Sequence, residues 1–413
     1  MSPSQDGDNR PILVGPPTPA PPRMADLSLP RDLTVDAATP GTPAHVARFL
    51  GAWIGFWGGG LPHVLVVERV AADGAASVLY AVGDSPDWGV TRTWRRVAGT
   101  VGGDRLMVAS TRAQISYAFE PDGRLLGRYL LPNEMLAVGI LQSIAVEALF
   151  DPDRLVPHAQ LGEAVRIPHA SVMRPDGARP IELEATLYRP AAASAPLAVI
   201  SHGSTGGYKI DPGRTFRHEA EALWLMEHGF AVLVPMRRGR GASEGVFGEE
   251  LHASLDMRPG LEEAVEDLAS TIVYGRALPF VQDCPVLLVG QSRGGFLSIV
   301  YAGRSPEAVA GVVSFAGGWI SQHSRNSFNA ELLEEAGRTA RAPQLWLYGK
   351  RDSHYGVAHI RTNHAAFVRA GGDAALKIFS VPGDGHFLIG FPGLWRPAAD
   401  AYLARLVPRF RSS

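Results

Sequence analysis

The second half of the chain alternates short apolar runs with longer stretches that have helical periodicity. From residue 165 onward the apolar runs are PLAVISHG, FAVLVPMRR, PVLLVGQS, VAGVVSFAGG, QLWLYGK and LKIFSVP. Runs that are apolar at nearly every position are typical of parallel strands that helices bury on both faces. The alternation therefore predicts a doubly wound, mostly parallel α/β fold for residues 165–413.

The N-terminal part of the chain has a different pattern. Residues 45–134 contain shorter runs rich in Val, Leu and Tyr, separated by Asp-Gly and Gly-Asp pairs. Closely spaced runs of this kind predict an antiparallel β-domain, either a small sandwich or a partial barrel. Trp53 and Trp57 near its start are interpreted as core residues rather than as the wall of a ligand pocket. Residues 135–164 are predicted to form a helical linker to the next domain.

Composition argues against several classes of function. The formal net charge of −2 gives no electrostatic reason to expect a nucleic acid or an anionic membrane as a partner. The single cysteine, Cys284, cannot form an intramolecular disulfide, and the sequence shows no secretory signal and no bilayer-spanning stretch. Residues 1–44, rich in proline and alanine, are predicted to be a disordered or extended leader. We expect a cytoplasmic location, and homo-oligomerisation stays open.

Two segments fit the G-x-S-x-G pattern of a serine nucleophile, one at Gly290–Gly294 and one at Gly241–Gly245. Ser292 follows directly on the run PVLLVG and precedes the apolar helical stretch GGFLSIVYAG. Ser243 lies behind a loop and is followed by polar residues. Only Ser292 has the strand–turn–helix context that holds a nucleophilic hydroxyl up, so Ser292 is the predicted nucleophile.

A serine nucleophile also needs N–H donors for the oxyanion that forms when it attacks a carbonyl group. The backbone N–H of Arg293 opens the helix after the nucleophile and is the first predicted donor. The turn His202-Gly203 ends an earlier strand, and the backbone N–H of Ser204 is the second predicted donor. His202 itself is interpreted as a structural residue that holds this turn by hydrogen bonds.

The His202-Gly203 turn, the loop Arg238–Ser243 and the turn Gly290–Gly294 resemble successive strand-end loops of the α/β-hydrolase superfamily. The similarity is greatest to its dienelactone-hydrolase-like and prolyl-oligopeptidase-like branches, and it covers residues 165–413. Dienelactone hydrolases proper carry a cysteine nucleophile where this chain carries Ser292, so their particular substrate is not expected here.

The resemblance implies a Ser…Asp…His order along the chain. Asp352 follows the run QLWLYGK, and His386 lies in a glycine-rich loop after the run LKIFSVP. These positions match the acid and base loops of the superfamily, so the resemblance implies Asp352 as orienting acid and His386 as base. Nearby rivals are His354 and His359 for the base and Asp384 for the acid.

Substrate contacts are less constrained by the sequence. Residues 319–342 fall between two strands and form either a cap element or an ordinary crossover helix. Trp319 and Phe328 in this segment, and Tyr208 after the His-Gly turn, are predicted to line the substrate pocket. The arginines of the loop MRRGRG are interpreted as structural rather than as a site for an acidic substrate.

Together these features predict a serine carboxylic-ester hydrolase that forms an acyl-enzyme and acts on a small-molecule ester. No metal or cofactor is expected, because the chain has no H-E-x-x-H, Cys/His-cluster or Walker pattern. Two alternatives stay open. The same three residues suit a serine peptidase or amidase, and a hydrolase fold also occurs in binding proteins without activity.

Overall fold

The computed structural model describes residues 27, 29–57, 61–84, 90–120, 123–132, 136–151, 162–190, 192–204, 212–249, 257–323, 327–381 and 383–410. Within these ranges the chain builds two β-structures in succession, a closed antiparallel barrel and a mixed sheet with helices on both faces. Within the same ranges no helix combines the length and the apolar composition needed to cross a membrane.

The barrel consists of eight antiparallel strands that pair in chain order. They are β1 (Gly51–Trp57), β2 (Leu61–Val70), β3 (Ala75–Val82), β4 (Thr93–Gly102), β5 (Arg105–Val108), β6 (Gln114–Phe119), β7 (Leu125–Leu130) and β8 (Leu136–Ile144). Pairing of β1 with β8 closes the ring, which leaves no open sheet edge. The predicted antiparallel β-domain is confirmed, and its form is a complete barrel.

The helix predicted within the linker 135–164 is wrong for its first part. Residues 136–144 form β8, and a 3-10 helix (Val146–Phe150) follows. The reason is that β8 is apolar on both faces: Leu141 packs inside the barrel, while Val138 and Ile140 pack outside it. Such a strand lacks the alternation of a half-exposed strand and cannot be told from a helix by pattern alone.

An aromatic cluster fills the barrel interior. Trp57 packs with Tyr117 and with the ring of His63, whose centroid lies 5.0 Å from that of Trp57. The His63 ring donates from Nδ1 to the carbonyl of Ala81 (2.8 Å) and accepts at Nε2 from the Tyr117 hydroxyl (2.8 Å). Trp53 is also buried in this core, so the interpretation of both tryptophans as core residues is confirmed.

The described part of the leader is extended but packed. Residues 29–43 contain no regular secondary structure, yet Leu33 is only 7% exposed and joins a cluster with Ile54 and Val66 on the outer face of the barrel. The N–H of Asp36 donates to the carbonyl of Glu68 in β2 (2.9 Å). The prediction missed this packing because the few apolar side chains of the segment are spread among prolines and polar residues.

The second structure is an eight-stranded sheet. Its strands are β9 (Glu163–Met173), β10 (Pro180–Tyr188), β11 (Leu197–Ser201), β12 (Ala231–Pro235), β13 (Val286–Gln291), β14 (Val309–Phe315), β15 (Gln344–Gly349) and β16 (Ala374–Phe379). Their spatial order is β9-β10-β12-β11-β13-β14-β15-β16. The strands from β12 to β16 in this order are parallel, and β9 and β10 are antiparallel additions. The sheet is therefore mostly parallel, as predicted.

Helices cover both faces of this sheet. They are α2 (Glu219–Glu227), α3 (Arg258–Arg276), α4 (Arg293–Arg304), α5 (Phe328–Thr339), α6 (Val357–Arg369) and α7 (Pro392–Leu406), and a short α1 (Ala44–Ala47) precedes the barrel. Along β11, Leu197 and Val199 pack with α3 and α4, whereas Ala198 and Ile200 pack with α2 and α7. Burial on both faces explains why these strands are apolar at successive positions.

The barrel and the α/β sheet meet at α2. Leu223 of this helix packs against Val138 and Ile140 of β8. Beside this apolar contact, Arg128 of β7 forms an ion pair with Glu227 (2.9 Å). The interface therefore attaches the barrel to the helix that follows β11 in the chain.

The buried imidazole inside the barrel makes folding stability depend on pH. Burial lowers the pKa of His63 from its ordinary value of 6.5 to about 4. The unfolded state therefore binds a proton at His63 more readily than the folded state does. The contribution of His63 to the free energy of unfolding is fully present above about pH 6.5 and is lost as the pH falls toward 4. A shift of this size corresponds to about 3 kcal/mol.

We expect the free energy of unfolding to fall less between pH 7.5 and pH 4 in His63→Phe than in the wild-type protein, because the variant lacks this contribution. Urea denaturation at the two pH values measures the fall. The exposed His45 offers the control substitution His45→Phe, which should leave the wild-type pH dependence in place. An unchanged pH dependence in His63→Phe would contradict the assignment.

Candidate active site

Four parallel strands end side by side and bring the predicted site residues to one edge of the sheet. The pairings Ser201↔Gly290, Gln291↔Phe315 and Phe315↔Leu347 align the carboxyl ends of β11, β13, β14 and β15. In open α/β sheets the carboxyl ends of the strands form the usual site for ligands.

Ser292 occupies a strained turn between β13 and α4. Its φ of 53° and ψ of −121° are rare for a residue with a side chain. Its N–H donates to the carbonyl of Phe315 (2.8 Å), which ties the turn to the neighbouring strand. A Cβ at Gly294 would overlap the carbonyl oxygen of Ser201, and one at Gly290 would overlap the backbone of Gly294. Both glycines of the motif are therefore required by close backbone contact.

Backbone strain is concentrated around this edge. Among the described residues, four that are not glycine have a positive φ: Ser292 (53°), Ala316 (47°), Arg351 (60°) and His218 (47°). The first three follow the ends of β13, β14 and β15. Strain of this kind costs about 1–3 kcal/mol per residue and persists only where the surroundings enforce it.

His386 and Asp352 are in direct contact. The His386 ring donates from Nδ1 to the Asp352 carboxylate, with 3.1 Å to each oxygen. The Asp352 carboxylate also accepts from the N–H groups of His354 (2.8 Å) and Tyr355 (3.0 Å), which fix its orientation. Because Nδ1 is engaged, Nε2 is the ring nitrogen of His386 that can take up a proton from a nucleophile.

The rival residues have other partners. Asp384 accepts from the backbone N–H groups of Ser353 (3.0 Å) and His386 (2.9 Å), so its carboxylate orders the loop rather than the ring. These hydrogen bonds outweigh burial and lower the pKa of Asp384. The ring of His354 lies 4.5 Å from that of His386, and burial lowers its pKa. His359 contacts Asn363 (2.9 Å) through Nε2.

Ser243, in the second G-x-S-x-G segment, is a structural residue. It is completely buried. Its hydroxyl donates to the carbonyl of Met236 (2.7 Å) and accepts from the N–H of Glu184 (2.8 Å). A hydroxyl with both functions engaged and no exposed surface cannot meet a substrate.

The His202-Gly203 turn lies directly against the nucleophile. A Cβ at Gly203 would be in van der Waals contact with the Cβ of Ser292 (3.4 Å), so Ser204 lies one residue away from this contact. On the other side, Arg293 is the first residue of α4, ahead of the first helical hydrogen bond from Phe296 N–H to the Ser292 carbonyl (3.0 Å). The N–H groups at helix starts lie outside the helical ladder and carry partial positive charge.

His202 uses both ring nitrogens within the fold. Nδ1 donates to the carbonyl of Gly203 (2.8 Å), and Nε2 accepts from the N–H of Arg237 (3.2 Å). Burial, followed by the positive charge of Arg237, holds the pKa of His202 well below its ordinary value. The ring is therefore neutral and has no nitrogen left for proton transfer.

The predicted substrate contacts have different outcomes. Trp319 is only 1% exposed and packs against Phe296 and the guanidinium of Arg293, which is a core position rather than a pocket wall. Phe328 is half-buried at the start of α5. This helix packs against α4 and α6 as a crossover helix rather than as a cap. Tyr208 lies outside the described residues.

Tyr355 is a site residue that sequence analysis missed. It is 3% exposed, and its hydroxyl lies close to the side chain of Ser292. Its ring lies 5.7 Å from that of His386 and packs so tightly on Gly318 that a Cβ there would overlap it. Burial raises the pKa of Tyr355, so its hydroxyl is protonated. The only signal in the sequence was its place three residues after the predicted acid.

Within the ranges that the structure describes, no three His, Cys, Asp or Glu side chains are grouped so that they could hold a metal ion. This edge carries a strained serine and a histidine paired with an aspartate, which are the residue types that nucleophilic chemistry uses. A mostly parallel sheet in this strand order, with a serine turned up between β13 and α4, is the architecture of the α/β hydrolases.

Within that class the chain belongs to the dienelactone hydrolase family. The family's model matches residues 183–389, half of the chain, from β10 to the 3-10 helix (Gly385–Gly390) that carries His386. Membership of this family supports hydrolase activity on esters. The resemblance predicted from the strand-end loops is thereby confirmed.

Several solved structures are similar to part of this chain. The esterase Pf2001 of Pyrococcus furiosus shares 14% identity over 59% of this chain and 90% of its own, with a TM-score of 0.43. Est1E of Butyrivibrio proteoclasticus shares 17% sequence identity, over 59% of this chain and 99% of its own, with a TM-score of 0.41. The α/β hydrolase GrgF of Penicillium sp. sh18 shares 15% sequence identity, over 60% of this chain and 99% of its own, with a TM-score of 0.44. No curated protein matches the chain.

The contact at Gly294 gives a direct test of the serine turn. We expect Gly294→Ala to lower the free energy of unfolding by about 3 kcal/mol, because the added methyl group must displace the backbone of Ser201 and His202. Denaturant unfolding measures the change. The matched control is Gly102→Ala, where nothing lies within 4 Å of the added atom. Equal stability of the two variants would refute the close contact.

Proposed function

We propose that the protein is a serine carboxylic-ester hydrolase, with Ser292 as nucleophile, His386 as base and Asp352 as the acid that orients the base. The observation that carries the proposal is the His386–Asp352 hydrogen bond at the same sheet edge as the strained serine turn. Tyr355 lies between the two sides, since its hydroxyl is close to Ser292 and its ring centroid lies 5.7 Å from that of His386. Family membership supports the ester as substrate class.

In the first half of the proposed reaction, the hydroxyl oxygen of Ser292 attacks the carbonyl carbon of the ester. Its proton passes to Nε2 of His386, and the Asp352 carboxylate stabilises the imidazolium that forms. The carbonyl oxygen becomes an oxyanion that accepts from the N–H groups of Ser204 and Arg293. Each such donor stabilises the transition state by about 3 kcal/mol.

In the second half, the imidazolium of His386 protonates the departing alcohol and leaves an acyl group on Ser292. A water molecule then gives a proton to the same nitrogen and attacks the acyl carbon. The second oxyanion forms in the same place as the first. The carboxylic acid leaves, and Ser292 regains its hydroxyl proton from His386.

The substrate is proposed to be a small-molecule ester. Phe328 and Tyr208 stay the proposed contacts for its acyl or alcohol part, whereas the burial of Trp319 supports a packing role beside Arg293. We also propose a cytoplasmic location, because the single cysteine gives the chain no intramolecular disulfide that would suit an oxidising compartment.

The two serines of the G-x-S-x-G segments provide a matched pair of variants. We expect Ser292→Ala to lower kcat for a short-chain p-nitrophenyl ester at least about 10⁴-fold and to abolish labelling by a fluorophosphonate. Ser243→Ala should retain the activity of the folded protein, although it loses two buried hydrogen bonds. Peptide p-nitroanilides run in parallel separate ester from amide hydrolysis.

Turnover of esters by Ser292→Ala at the wild-type rate would exclude Ser292 as nucleophile. Turnover of the anilides but not of the esters by the wild-type protein would favour a peptidase. If the wild-type protein hydrolyses neither substrate and takes up no fluorophosphonate label, the proposed function fails.

Tyr355 should assist the nucleophile without being essential. We expect Tyr355→Phe to lower kcat/KM about 3- to 10-fold, a loss the size of one neutral hydrogen bond, because the hydroxyl group close to Ser292 is removed. Steady-state kinetics on the same ester measures the effect. The control is Tyr402→Phe, a buried tyrosine whose hydroxyl bonds Pro343 and Val312 away from the site. Equal kcat/KM in the two variants would remove Tyr355 from the site.

A further inference from the structure

A buried arginine stands behind the His202-Gly203 turn. Arg237 follows β12, the neighbour of β11, and is 3% exposed. Its guanidinium donates from Nη1 to the carbonyl of His202 (2.8 Å) and from Nη2 to the carbonyl of Gly203 (2.9 Å). The Gly203 carbonyl also accepts from Nδ1 of His202 (2.8 Å). Two donors therefore hold this one carbonyl in place.

Holding the Gly203 carbonyl determines the direction of the next N–H. The peptide between Gly203 and Ser204 is planar and trans, so the N–H of Ser204 points opposite to the Gly203 carbonyl. A rotated peptide would turn the carbonyl, rather than the N–H, toward an oxyanion. Such a rotation would have to break the hydrogen bonds from both Arg237 and His202.

The same arginine is connected to the other side of the nucleophile. The carboxylate of Glu249, itself buried, accepts from Nε of Arg237 and, at its second oxygen, from Nη2 of Arg237 (3.3 Å) and Nη1 of Arg293 (3.2 Å). Arg293 also donates from Nε to the carbonyl of Trp319 (3.1 Å). One carboxylate thus joins the side chain of Arg237, which holds the His202-Gly203 turn, to the side chain of Arg293, the first residue of α4.

We propose that Arg237 is a positioning residue that presets the oxyanion hole, acting on Ser204 through the Gly203 carbonyl and on Arg293 through Glu249. The proposal rests on the proposed function of the site. An arginine suits the task because its planar fork reaches two successive carbonyls and a carboxylate at once. A lysine offers one charged nitrogen without this fixed geometry and cannot replace it.

The test compares Arg237→Lys with the wild-type protein in ester hydrolysis and in inhibition by a trifluoromethyl ketone. This inhibitor adds to the serine and forms an oxyanion, so its inhibition constant reports on the oxyanion hole. We expect kcat to fall about 100-fold with KM within 3-fold, because one oxyanion donor is worth about that much. The inhibition constant should rise by the factor by which kcat/KM falls.

Arg238→Lys is the matched control. Arg238 is the next residue, is also buried, and pairs with Asp267 and Glu266 instead of the His202-Gly203 turn. Its substitution should lower stability, while kcat and the inhibition constant stay within 3-fold of the wild-type values.

Glu249→Gln keeps the shape of the side chain and weakens its link to Arg293, so we expect an intermediate loss of about 10-fold in kcat. If Arg237→Lys does not fold, Glu249→Gln tests in its place whether this network presets the oxyanion hole.

The inference is overturned if folded Arg237→Lys, or Glu249→Gln in its place, keeps the kcat and the inhibition constant of the wild-type protein. It is also overturned if kcat falls while the inhibition constant does not change, because the loss then arises outside the oxyanion hole. Failure of the proposed function shows earlier and separately, as a wild-type protein without ester turnover, and the inference then falls with it.

Discussion

Gly294 and the carbonyl of Ser201 lie so close together that a side chain at residue 294 has no space. At this contact the start of α4 lies directly against the end of β11, next to the turn in which Ser292 has its rare conformation. The His202-Gly203 turn lies beside the same serine, since a Cβ at Gly203 would be in van der Waals contact with the Cβ of Ser292. The two N–H groups of the proposed oxyanion hole, on Ser204 and Arg293, flank this one point of backbone contact, so the arrangement of the site depends on it.

The strained backbone at this edge is enforced by what lies beneath it. The strands that end at Ser292, Ala316 and Arg351 are buried on both faces, between one core shared with α3 to α6 and another shared with α2 and α7. A rigid, close-packed interior offers the loops few alternative positions. Hydrogen bonds from Arg237 and to Asp352 then fix the remaining freedom of the His-Gly turn and of His386. Packing therefore sets the coarse geometry, and a few buried polar groups set the fine geometry.

Local patterns predicted what local sequence determines. The parallel strands are continuous apolar runs, and the contact between His386 and Asp352 lies where the strand-end loops implied it. What depends on distant neighbours escaped prediction. β8 is buried on both faces because α2 covers one of them, and the leader is packed because the barrel has an apolar outer face. Nothing in the sequence around Tyr355 reveals that its hydroxyl lies close to Ser292. Nothing around Arg237 reveals that its guanidinium donates to two carbonyls.

The contact between Leu223 of α2 and β8 ties the barrel and the α/β part together. Among the described residues, α2 is the first helix after the His202-Gly203 turn. Leu223 on this helix packs on the barrel, while Ala222, Trp224 and Leu225 pack in the sheet core. An α/β part cut free of the barrel would expose Leu223, which β8 now covers, to water. The barrel therefore shields an apolar side chain of the α/β part as well as its own core.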